Sequence, residues 1–419
     1  MEYGISRPSD SNPVRLFHRA KTTVQVIFDA LTWPEFHFGD LALLSAPPSS
    51  TILHMNPLIS PSELCHHPYR ALFPLGWLMA WLGISPWILF WANTGIEYPR
   101  NLHMLLLIQA VLTPLAAGFL LTMLPRRLKS PDGAPWHLWM ALLVPPLHAL
   151  LVWKGELGLA HGIWTLEALA LLHFSTIRIF GKVPGRRGPI AFAWVPIGFG
   201  FGTLGGSLLA VQALAPGVIS PEVGILGWLM LSQGLFLSLV FGIGALFLPL
   251  VAHKAGSTDA DQVPNAWRRY ALHGLAAVGV LVSFLLESRG AVVEGRALRA
   301  ALAIGVLVLG ASTLRPPSVP GTQRKLIWLA SWSIPIGLAL AAALPNRPQV
   351  GLHVFFLGGI TLLTLSVALH VGLSHSSGQH LVNIPVRRLQ LFGGLLFLAL
   401  ALRLAAEFDP VRRFEWLAA

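Results

Sequence analysis

The chain has 419 residues, 54% of them hydrophobic and only 11% charged, with a formal net charge of +11. Soluble domains carry roughly a quarter charged residues, so this composition excludes that class. The basic residues sit in short loops between apolar runs, which excludes nucleic acid as the partner and points to a lipid bilayer.

Residues 1–64 are mixed in character, and Pro13, Pro34, Pro47, Pro48, Pro57 and Pro61 break any long element. The segment 22–33 is too short and polar to span a membrane, and reads as a surface helix or as part of a loosely ordered cytoplasmic leader. The polar, charged start is unlike a cleavable signal peptide. Residues 65–419 form one membrane domain. Apolar runs of about 18 residues or more require helices, because the backbone must satisfy its own polar groups in lipid. The fold class is therefore all-α, a polytopic transmembrane bundle. Eleven spans are predicted near 70–92, 101–124, 136–153, 157–180, 189–213, 223–250, 269–287, 296–313, 325–344, 351–374 and 387–406.

Loop charge sets the orientation. Arg126, Arg127 and Lys129 follow the second span, Lys182, Arg186 and Arg187 the fourth, and basic residues recur in later alternate connections. The amino terminus is thus expected in the cytoplasm. The connection bearing Arg289, Arg296 and Arg299 breaks the pattern, offset by Glu287 and Glu294. An odd span count puts the carboxyl terminus outside, where Arg412 and Arg413 sit awkwardly, consistent with an ancestral plan of twelve spans.

Cys65 is the single cysteine, so neither an internal disulfide nor a cysteine-held iron–sulfur cluster is available. Histidines are the prominent chemistry instead. The tenth span carries His353 and His370 and ends at His375. His353 and His375 are 22 positions apart, about 33 Å along a helix, too far for one metal. His103 and His353 each follow a leucine at the start of a helix entering from the same side, and each helix continues through small residues and threonine. This is a faint parallel repeat. It makes His103 and His353 a candidate pair, while His273, His370 and His375 lie at the opposite level. Two imidazole levels suit a haem protein with one or two axial pairs, and equally suit histidines that merely pack.

Few other polar groups lie inside the spans. Met104 supplies a soft thioether beside His103, and Gln109 follows one and a half turns deeper. Glu167 is mid-span, costly unless protonated or paired. Arg299 and Arg403 sit in apolar stretches, from which each can snorkel to the headgroups or pair with Glu167 or with a haem propionate. The sequence has no P-loop, no dinucleotide fingerprint and no His-Glu-x-x-His, and no catalytic residue is identifiable.

Three stretches resemble the NnrS family. Residues 67–76, His-Pro-Tyr-Arg-Ala-Leu-Phe-Pro-Leu-Gly, resemble its Phe-Arg-Pro-Phe-Phe-like opening. The second span begins Asn101-Leu102-His103-Met104 and ends Ala117-Gly118-Phe119-Leu120-Leu121-Thr122-Met123-Leu124-Pro125, similar to the family's Trp-His-Ala-His-Glu-Met start and Ala-Gly-Phe-Leu-Leu-Thr-Ala-Val-Pro finish. The tenth span ends Leu373-Ser374-His375-Ser376-Ser377-Gly378, similar to its Leu-Gly-His-Thr-Gly-Arg run. The chain departs where Leu105 and Leu106 replace the family's second histidine and glutamate, which leaves His103 as the ligand candidate there. The resemblance implies a bacterial inner-membrane protein that binds haem and copper and acts in the response to nitric oxide. The alternative is a metal-free transporter or channel whose glycine-rich fifth and sixth spans (Gly198, Gly200, Gly202, Gly205, Gly206, Gly234, Gly242, Gly244) act as hinges; an assembly factor is a third reading.

Overall fold

A computed structural model describes residues 61–92, 98–181, 188–254, 265–310, 315–375 and 377–409. The leader expected over 1–64 lies almost wholly outside these residues. After a short helix, Pro61–His66, come the long helices α1 (Tyr69–Trp91), α2 (Arg100–Leu128), α3 (Pro135–Trp153), α4 (Leu157–Phe180), α5 (Ile190–Leu214), α6 (Pro221–His253) and α7 (Ala266–Ser288). Then follow α8 (Val292–Ile304, extended by a π turn Gly305–Gly310), α9 (Thr322–Ala343), α10 (Pro348–Ser374) and α11 (Arg387–Phe408). All but α8 are long and apolar enough to cross a membrane, ten helices among the described residues. The eighth expected span corresponds to α8, a continuous helix that carries Arg296 and Arg299 in its first half.

Burial separates centre from rim. In α2 and α6, 83% and 72% of the most apolar window is buried, against 22% in α7 and 17% in α11. The last two therefore offer their leucine-rich faces to lipid, where exposed apolar side chains cost nothing. Pro86–Pro99 belongs to a separate compact unit, in which Trp87 and Phe90 pack edge-on against Tyr98 at 5.3 and 5.9 Å.

Most of the glycines expected as hinges are points of close approach. A Cβ on Gly205 would collide with the Gly227 carbonyl and the Leu231 amide of α6, and one on Gly206 with Thr165 and Trp164 of α4. α9 and α10 meet through Gly337 and Gly351, where a Cβ on either would overlap the other helix's backbone. Small residues permit this contact, and packing rather than hydrophobicity holds helices together in lipid.

Four helices contain π turns: Leu106–Val111 in α2, Met230–Gly234 in α6, Gly305–Gly310 in α8 and Val354–Thr361 in α10. Such turns shift the hydrogen-bond ladder by one residue and often mark functional positions. The turn in α2 precedes Pro114, which has no N–H to offer the Ala110 carbonyl. Beyond the π turns of α2, α6 and α10 lies an apolar space of about 620 Å³, counting its open mouth, bounded by Phe73, Leu115, Phe119, Phe236, Phe247 and Thr364 among others.

Candidate functional site

His103 and His353 each sit just before a π turn, and the bundle brings these residues, 250 positions apart, to the same end. His103 Nδ1 is 2.9 Å from the Gly83 carbonyl oxygen, and His353 Nδ1 is 2.8 Å from that of Gln349. A carbonyl only accepts, so both rings carry a proton on Nδ1, and the Nε2 of His353 accepts from Arg403. Anchoring the far nitrogen on a carbonyl is how proteins orient imidazoles that bind metals. The two rings are within electrostatic reach of one another, and Arg403 acts on both. Arg403 donates Nε–H to His353 Nε2 at 3.2 Å and pairs with Glu407 at 2.6 Å, while its Nη1 is buried without a partner.

The other predicted site residues are scattered. His375 lies at the opposite end, where Arg126 donates to its Nε2 at 3.0 Å and to His67 Nδ1 at 2.9 Å. His66 of the same group meets Asp132 at 2.5 Å. Tyr69 packs beside His375, ring centres 5.7 Å apart. The short motif around His67 is therefore joined to the end of α10, a link invisible in sequence because Arg126 reads only as loop charge. Burial, then the Asp132 carboxylate, pushes the Cys65 thiol up. His370 stacks edge-on against Phe247 with its Nδ1 buried and unbonded. His273 accepts the indole N–H of Trp194 at 2.9 Å, in a place apart from both clusters. Met104 packs against the hydrophobic core beside His103.

Neither arginine meets Glu167. Arg299 is 1% exposed rather than snorkelling, because Glu287 (2.8 Å), Gln233 (2.6 Å) and Ser283 (3.2 Å) satisfy it and Phe284 lies 4.4 Å from its guanidinium. Its strong partner is a carboxylate on the neighbouring α7, one residue from the end of that helix, where Glu287 also receives Arg296. Gln109 lies in the π turn of α2, fully buried with both amide atoms unbonded, and Glu167 is equally buried with both oxygens unbonded. No cluster of three or more His, Cys, Asp or Glu side chains is close enough to hold a metal ion among the described residues. At the His103 end, His103 and His353 are the candidate histidine ligands, and Arg403 occupies the Nε2 of the latter.

A bundle of ten helices long and apolar enough to cross a membrane, among the described residues, defines a polytopic membrane protein. The chain matches the family described as NnrS protein over residues 63–419, and it belongs to that family. No curated protein and no solved structure matches it.

Proposed function

We propose that this protein works as its family resemblance implies: an integral membrane protein that binds haem and copper and acts in the response to nitric oxide. His103 and His353 hold the prosthetic group. The observation that carries this reading is the matched pair of rings at one end of α2 and α10, each with Nδ1–H fixed on a backbone carbonyl. Arg403 is suited to an anionic substituent such as a propionate, since its Nη1 is buried without a partner. Bound there, haem iron would supply one-electron chemistry and an affinity for diatomic ligands. With the amino terminus cytoplasmic by loop charge, this pair faces the outer side of a bacterial inner membrane. His370 and His375 lie at the other level and serve no shared site with it.

The test is a reduced-minus-oxidised spectrum and metal analysis of the purified protein, beside the His103→Ala/His353→Ala variant. Haem absorbance and copper in the wild type that fall in the variant support the reading; an unchanged Soret band and copper content in the variant remove these ligands. The apolar space among α1, α2, α6 and α10 favours a second reading, a metal-free transporter or channel. A wild-type protein free of both haem and copper supports that alternative.

A further inference from the structure

A second group of polar side chains lies away from the His103–His353 pair. Gln109, His148, His161 and Glu167 are 0%, 0%, 6% and 0% exposed. Between them they carry six side-chain atoms with no hydrogen-bond partner in the protein: both amide atoms of Gln109, His148 Nε2, His161 Nδ1 and both oxygens of Glu167. Buried polar atoms are nearly always bonded, and those that are not commonly hold water or an exchangeable proton.

These residues form a stair along α2, α3 and α4. His148 of α3 donates Nδ1–H to the Ala160 carbonyl of α4 at 3.0 Å and lies within electrostatic reach of His161. The Leu105 carbonyl of α2 is beside the same ring, without hydrogen-bond geometry at Nε2. One step deeper, Trp164 donates its indole N–H to Thr113 Oγ1 at 3.0 Å, which fixes the register of α4 on α2 and leaves the threonine hydroxyl proton free to donate onward. Gln109 is one turn before Thr113, His161 one turn before Trp164, and Glu167 one turn after it. A polar atom is therefore present at every turn from the His148 level down to Glu167.

At the bottom of the stair, no cation among the described residues offsets a carboxylate. α5, which packs along α4, has no titratable side chain over Ile190–Leu214. α3 contributes His148 above Glu167 and His137 beyond it, and α4 itself His161 above and His173 and Arg178 beyond. His137 and His173 face one another at 3.5 Å, and Arg178 is taken by the Pro131 and Asp132 carbonyls. On α2, His103 lies above the stair, and Arg126 and Arg127 lie at the opposite end. An ionised carboxylate here would cost several kcal/mol without a partner, so Glu167 carries a proton.

We propose that Glu167 is a proton-binding site reached from the His103 end of the bundle through water held by Gln109, His148 and His161. In the transfer the carboxyl O–H bond breaks, its proton passes to a bridging water, and the reverse step restores it; no electron moves and no metal is needed. The inference therefore stands or falls apart from the haem and copper reading.

Infrared difference spectroscopy of the purified full-length protein tests it, with hydrogen oxide exchanged for deuterium oxide. A neutral carboxylic acid shows a carbonyl stretch well above the carboxylate bands, and deuteration lowers it. The expected result is an exchangeable band at neutral pH that shifts when glutamate is labelled with carbon-13 and is missing in Glu167→Gln. Entry of deuterium into this band is expected to slow several-fold in His148→Phe and His161→Phe. Wild-type protein with no such glutamate band, or a band that never exchanges, overturns the proposal. So does a band retained in folded Glu167→Gln, or an entry rate indifferent to both histidine variants. The isotope-labelled wild type decides the first question even where a variant fails to fold.

Discussion

At the scale of single residues, the ion pair of Arg299 with Glu287 shows how a charge is kept inside a membrane helix. Two guanidiniums, Arg296 and Arg299, share one carboxylate, at 2.8 Å each. Removing Glu287 strands both cations, whereas removing Arg299 leaves Glu287 with Arg296. Breaking a buried pair from one side costs on the order of 3–5 kcal/mol, while replacing the whole pair by apolar groups is often neutral. Glu287→Leu is therefore expected to lower the thermal unfolding midpoint in detergent more than Arg299→Met does, with much of the loss recovered in the double variant. Additive losses in that cycle would mean that the pair is uncoupled.

His67 gives a residue-scale prediction in pH. Burial is the main reason that its ring is held below the ordinary histidine value of 6.5, with Arg70, Arg126, His375 and His66 adding to it. The unfolded chain then binds a proton at a higher pH than the folded one does, so acid favours unfolding. The contribution of His67 is fully present above 6.5 and is lost as pH falls below 6.5 toward the lower folded value. Acid titration of thermal stability is expected to show a decline beginning there, smaller in His67→Gln. An identical decline in the variant would assign it elsewhere.

At the scale of elements, glycine position decides what a substitution does. Gly351→Ala places a methyl group against the α9 backbone at Ala341, whereas Gly200→Ala meets nothing within 4 Å. The first is expected to cost about 1–3 kcal/mol by overpacking. It also pushes out the helix that carries His353. The second is expected to be neutral or to stabilise by up to about 1 kcal/mol, because alanine restricts the unfolded chain and favours helix. Thermal unfolding of both variants checks the contrast; equal effects would remove the close contact as the cause.

The same scale shows what the sequence made legible. Apolar runs located all eleven helices to within a few residues, since a bilayer demands length and hydropathy and little else. The His103–His353 match was visible because both begin helices of the same direction. The π turns were not visible: they depend on a one-residue shift in backbone bonding that side-chain pattern does not encode. Nor was the partner of Arg299. The loop-charge count takes Glu287, the last residue of the predicted seventh span, with the connection after it, whereas it lies in the last turn of α7 and bonds Arg299 inside the bundle. Arg126 escaped notice for a similar reason, since the loop-charge rule accounts for a basic residue before any contact is considered.

At the scale of the whole molecule, the candidate metal pair is a tie between distant parts of the chain. His103 belongs to the most buried of the spanning helices and His353 to one near the end of the bundle's sequence, and the rings are held by backbone carbonyls of Gly83 on α1 and of Gln349 on α10. Each imidazole is thus oriented separately, and only correct assembly of α2 against α10 brings the two to one site. A group that binds both stabilises the folded state alone, by RT ln(1 + [L]/Kd), about 2.7 kcal/mol at a hundredfold excess over Kd. Loading the apoprotein with haem is therefore expected to raise its unfolding midpoint. His103→Ala and His353→Ala should each abolish most of that rise, and the double variant should lose no more than either single one, because one ligand alone cannot link the helices. Two independent, additive losses would mean that the histidines bind separate groups, and a rise unchanged in all three variants would place the haem elsewhere in the bundle.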